Sequence, residues 1–110
     1  MSSLNMAQIS ELKDIMEDAF EDLVNTYLQD SESKLSNLQN ALDDGDAVRV
    51  GEIGHSLKGS SLNICAEPLS EIFKQIEDNG KQGNLAPVAE LIGQANSEFS
   101  AVKSQLQALS

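Results

Sequence analysis

The stretch Asn84-Leu85-Ala86-Pro87-Val88-Ala89-Glu90-Leu91-Ile92, continued through Phe99 to Leu109, decides the fold. Leu85, Val88, Ile92, Ala95, Phe99, Val102, Leu106 and Leu109 follow one another in strictly alternating three- and four-residue steps. Such spacing winds a single apolar stripe along a long helix, the seam of a helix packed at a shallow angle in a bundle. Asn84 suits an N-cap, and Pro87 suits the first turn, where its missing N–H leaves no bond unmade.

Upstream segments obey the same period. Pro68 is compatible only with the first turn of a helix, which then turns Leu69, Ile72, Phe73 and Ile76 inward and ends at Gly80 and Gly83. Before it, Val50, Ile53, Leu57 and Ile64 share one stripe of a helix running from an Asp46 N-cap to Asn63 or Ile64. Asp43-Asp44-Gly45-Asp46 separates that helix from a longer one carrying Phe20, Val24, Tyr27, Ser31, Leu35, Leu38 and Leu42. Ile9, Leu12, Met16 and Phe20 describe a short first helix that runs into it. No β pattern competes. The expected fold is all-α: an antiparallel four-helix bundle with a short additional N-terminal helix across one end, in a single domain over residues 1–110.

Leu, Ile, Val and Phe supply 29 of the 110 residues, enough for a real core in a chain this long. With Tyr27 the only tyrosine and no tryptophan, that core must be mainly aliphatic. A net charge of −11 argues against nucleic acid and against anionic membrane surfaces, and favours a monomer. Cys65 is alone, so no internal disulfide forms. Met1-Ser2-Ser3-Leu4-Asn5 lacks the basic start and apolar run of a signal peptide, and no stretch approaches the roughly 20 apolar residues of a membrane span. A cytoplasmic location is expected.

The only histidine, His55, lies in Gly51-Glu52-Ile53-Gly54-His55-Ser56-Leu57-Lys58-Gly59-Ser60-Ser61. At about 100° per residue it falls almost opposite the Val50–Leu57 stripe, so its side chain should face outward. Gly51 and Gly59 lie one turn to either side on the same face, and each Gly costs about 1 kcal/mol relative to Ala inside a helix. The expected reason is access for a large partner to the imidazole. Val48 and Leu62, two turns to either side, would rim that polar centre with apolar contact, as in a docking patch, with Glu52 and Lys58 the nearby charges. Lys58 is placed to meet a phosphoryl group.

His55-Ser56-Leu57-Lys58-Gly59-Ser60-Ser61, followed by Ala66 and Leu69, resembles the histidine-containing phosphotransfer (HPt) domain of bacterial and plant-type phosphorelays. The motif gains weight in a 110-residue, acidic, helical chain, and the helix order matches nearly throughout. The resemblance implies that His55 accepts a phosphoryl group from a receiver-domain aspartate and passes it to another. Its partners would be receiver domains of response regulators and of hybrid sensor histidine kinases. Glu77 matches the position where the family often carries Glu or Gln to hold the imidazole. Cys65 replaces the glycine usual in the turn before the next helix; a positive φ there would make Cys a costly occupant.

A neutral imidazole has one free ring nitrogen for attack on phosphorus, Nε2 being the accessible one while an acceptor holds Nδ1–H. Ser60 and Ser61 are expected to bond within the helix pair. No Gly-rich phosphate loop or kinase signature is present, so the chain is read as a phosphocarrier without ATP chemistry. One His and one Cys make no zinc site, and the Asp43–Asp46 run lacks calcium-loop spacing. No intrinsic cofactor is expected, with Mg²⁺ confined to the partner receiver domain. Two rivals stand beside this reading: a sensor-kinase dimerisation domain, which would be an obligate dimer, and a non-catalytic helical adaptor.

Overall fold

The computed structural model describes residues 4–109; Met1–Ser3, part of the leader and single-domain readings, and Ser110 lie outside the described residues. Five helices follow in order: α1 (Met6–Met16), α2 (Ala19–Asp43), α3 (Ala47–Asn63), α4 (Glu67–Gln82) and α5 (Val88–Leu109). Among the described residues there is no strand. Helices α2 to α5 form an antiparallel bundle in which each packs on the next and α5 closes back onto α2. The molecule is elongated, 42 × 23 × 18 Å.

The boundaries follow from local chemistry. Asp46 Oδ1 accepts from the Arg49 N–H, and Asn5 Oδ1 from that of Gln8, capping α3 and α1 as Asx residues do. Pro68 sits in the first turn of α4. Three helices close with a reversal in which one residue takes positive φ: Gly45 after α2, Cys65 after α3 and Gly83 after α4. In each, two amide N–H groups turn back to late carbonyls, such as Cys65 N–H to Leu62 O and Ala66 N–H to Ser61 O. Cys65 holds φ +66, so the turn does demand the left-handed conformation. At Glu17, φ +52, the chain breaks between α1 and α2.

Two boundary expectations are corrected. Asn84 does not cap α5; its N–H bonds to the Asn79 carbonyl and completes the end of α4, and α5 begins only after Pro87. Gly80 does not end α4, which runs to Gln82 and stops at the left-handed Gly83.

Phe20, Leu38, Val50, Leu57, Phe73, Ile76, Val88 and Val102 lie buried along the bundle axis. Leu28, Ala41 and Leu91 join them, whereas Leu42, Ile53, Ile72 and Leu85 pack against the core from its margin. Ser61 and Tyr27 tie α3 to α2 inside the core, their hydroxyls 2.9 Å apart. Helix α1 crosses the end where α3 leads into α4: the Asn5 N–H donates to the Cys65 carbonyl, and Lys13 Nζ to the carbonyl of Leu109.

Candidate functional site

Where α3 meets α4 the two backbones nearly touch, and glycine is the cause. A Cβ on Gly80 would stand 2.5 Å from the Gly51 nitrogen, and one on Gly54 would stand 3.0 Å from the Glu77 nitrogen. Gly51 and Gly54 are buried. Gly51 is therefore not an open approach for a partner, as the helical projection suggested; it is buried against α4, where an added Cβ would meet the Lys81 nitrogen at 3.5 Å. Gly59 has nothing within 4 Å of an added Cβ and is exposed.

This close approach brings Glu77 under His55. The imidazole is outward, with 68 % of the side chain accessible, whereas the Glu77 side chain is only 3 % accessible. His55 Nδ1 lies 2.8 Å from Glu77 Oε2. A carboxylate only accepts, so Nδ1 carries the proton and Nε2 points its lone pair to solvent. Glu77 also receives Lys58 Nζ on Oε1 at 2.7 Å and Lys81 Nζ on Oε2 at 3.0 Å. The Lys58 bond, outweighing burial and aided by Lys81 and His55, holds the carboxyl at about 2, well below its ordinary 4.5. Glu77 stays ionised at any physiological pH.

Lys58 is thus engaged with Glu77, one turn from His55 and on the same helix, before any phosphoryl group arrives. Val48 and Leu62 are exposed apolar residues on that face, as projected, and Glu52 lines the groove beside His55. The groove, about 490 Å³, is bounded by Val48, Gly51, Glu52, His55, Glu77, Gly80 and Lys81. On the other flank Lys34 from α2 donates to Ser56 Oγ at 2.7 Å and pairs with Asp30 at 2.8 Å. Ser60 Oγ donates to the Leu57 carbonyl and Ser61 pairs with Tyr27, so these two serines serve the helices.

Sequence reasoning missed Lys81, Gly54 and Gly80. The signals were present: Lys81 follows Glu77 at the i,i+4 spacing that favours a Glu–Lys pair, and Gly51 and Gly54 lie on one side of α3. Cys65, half-buried, has its thiol pushed up by burial and then by Glu67, which fits a packing residue. Among the described residues no three His, Cys, Asp or Glu side chains converge to hold a metal, and no helix is long and apolar enough to cross a membrane.

A helical bundle that displays one histidine over a buried, ionised carboxylate presents a ring nitrogen to solvent in a fixed orientation. Residues 22–110 match the Hpt domain family model, and the chain belongs to that family, the phosphorelay intermediates that carry phosphate on histidine. It is 28 % identical over 107 residues to histidine-containing phosphotransfer protein 2 of Arabidopsis thaliana, a match covering 91 % of this chain and 69 % of that protein. The fold is similar to the crystal structure of histidine-containing phosphotransfer protein B from Pseudomonas aeruginosa PAO1. There the TM-score is 0.93 at 33 % identity, covering 96 % of this chain and 92 % of the other.

Proposed function

We propose that His55 is the phosphoacceptor of this phosphorelay protein, taking the phosphoryl group from a receiver-domain aspartate and delivering it to another receiver. The observation that carries the reading is an exposed imidazole whose Nδ1 is anchored 2.8 Å from a buried carboxylate, leaving Nε2 as the nucleophile.

In the forward step the Nε2 lone pair forms a P–N bond while the P–O bond of the aspartyl phosphate breaks. The electrons of that bond leave with the aspartate as its carboxylate. The proton on Nδ1 stays against Glu77, so the phosphorylated ring is an imidazolium whose positive charge faces that carboxylate, and the reverse step returns the group to a second carboxylate and restores the neutral imidazole. Lys58, one turn from His55, is the cation placed to turn from Glu77 toward the incoming charge. Mg²⁺ belongs to the receiver's own carboxylates in this reading.

The partners are receiver domains of response regulators and hybrid sensor kinases, docking over Val48, Glu52, Gly59 and Leu62. The chain acts as a cytoplasmic monomer. Incubation with a phosphorylated receiver tests the assignment. Acid-labile phosphate should appear on the parent and not on His55→Gln, and phosphate retained by the variant would sink it.

A further inference from the structure

Lys81 has no part in the sequence motif and stands 66 % accessible at the rim of the groove, yet it shares one oxygen of Glu77 with the imidazole. Its ammonium and His55 Nδ1 are both within hydrogen-bonding reach of Oε2, so they lie within about 6 Å of each other. A carboxylate bonded to Nδ1 does two opposed things. It fixes the tautomer that exposes Nε2, and it attracts a second proton to the ring, which would consume that lone pair. The site must keep the first effect and cancel the second.

We propose that Lys81 is a positioning residue that acts through Glu77, offsetting the carboxylate's charge so that it orients the His55 imidazole without protonating it. The proposal rests on His55 being the nucleophile.

The surroundings of His55 support it. On α3, Glu52 lines the same groove and adds negative charge, while Lys58 adds positive charge. On α4, Glu77 and Lys81 face the ring. From α2, Lys34 reaches only as far as Ser56, and Asp30 balances it. Lys58 holds Oε1 but is also the cation needed by a phosphoryl group, whereas Lys81 sits on Oε2 from the next turn of α4. When Lys58 turns away, Lys81 is the cation left to hold the carboxylate.

The chain has one histidine, so one pair of imidazole nitrogens reports the effect without ambiguity. The protein labelled with ¹⁵N-histidine would be titrated by NMR as parent, Lys81→Met, Lys81→Arg and Glu77→Gln. Loss of a unit charge about 6 Å away across a well-solvated rim should raise the imidazole midpoint by about half a pH unit in Lys81→Met. Lys81→Arg should restore the parent curve. Uptake from phosphoramidate, which needs no partner protein, should fail at correspondingly higher pH in Lys81→Met. A midpoint unmoved by Lys81→Met, with Glu77→Gln moving it, would overturn the proposal. A shifted midpoint in a protein whose parent takes no phosphate on His55 would uphold the charge compensation and overturn the phosphocarrier reading.

Discussion

A Cβ on Gly80 would lie 2.5 Å from the Gly51 nitrogen and 2.7 Å from its Cα, so α3 and α4 meet through these two residues with no side chain between them. Backbone atoms cannot swing aside as a flexible side chain does. Gly80→Ala should therefore destabilise by about 1–3 kcal/mol despite alanine's better helix propensity. Chemical denaturation decides it, and a stabilised variant would show that the helices part without cost.

Gly59 makes the opposite case, since its added Cβ meets nothing within 4 Å. Gly59→Gln should gain up to about 1 kcal/mol in stability, the helix-propensity difference. Receiver affinity of the same variant should fall, because the glycine lies beside His55 on the docking face. Thermal melting paired with a binding titration reads both quantities. Unchanged affinity would mean that the position is not contacted.

His55→Gln should leave the fold intact. The side chain is mostly in water, and a glutamine amide can still donate to Glu77, so stability should move by no more than about 0.5 kcal/mol. Circular dichroism and melting would register any larger change.

Glu77 carries a pH dependence whose sign is fixed by its lowered pKa. Its carboxyl sits at about 2 in the folded chain against an ordinary 4.5, so the folded state holds the ionised form. The stability this provides is complete above about pH 4.5 and is lost as pH falls through about 2. The stability gap between the parent and Glu77→Gln should accordingly narrow across that window. Denaturation series at several acidic pH values would test it, and a constant gap would contradict the ionised assignment.

Cys65 stands at φ +66, where a side chain costs roughly 1–2 kcal/mol that glycine avoids. Glycine loses more backbone freedom on folding, which offsets part of that gain. Cys65→Gly should still stabilise by about 1 kcal/mol and raise Tm by roughly 5 °C. A lower Tm would show that the thiol's packing outweighs the strain.

The docking face sets an expectation for salt. Val48 and Leu62 are exposed apolar side chains flanking His55, so receiver binding should survive moderate salt and weaken in Val48→Ala and Leu62→Ala. Titrations at low and high ionic strength would separate this from an interface of charge pairs. Such an interface would fail as screening tightens to about 8 Å at physiological ionic strength.

By itself the sequence determined the helices and the face on which His55 stands. The reason is that both depend on local periodicity: Val88, Ile92, Ala95 and Phe99 in α5, and the phase of His55 against Leu57 in α3, are set by 3.6 residues per turn whatever the neighbours do. Asp46, Pro68 and Gly45 act within a few residues of themselves, so their caps and turns were legible too. The end of α4 was not, because Gly80 and Gly83 look alike in sequence. Only packing assigns one to a helix contact and the other to a left-handed turn.

Tertiary structure decided how Glu77 meets His55 and Lys58. Resemblance pointed to Glu77 and helical spacing places Lys81 beside it, but the carboxylate's burial, its bonds to His55 and Lys58 and its lowered pKa arise from α3 residues distant from it in sequence. Their meeting depends on how closely two helices approach. That distance is set by Gly54 and Gly80, each lying on the backbone of the other helix, across a contact that no single helix's periodicity encodes.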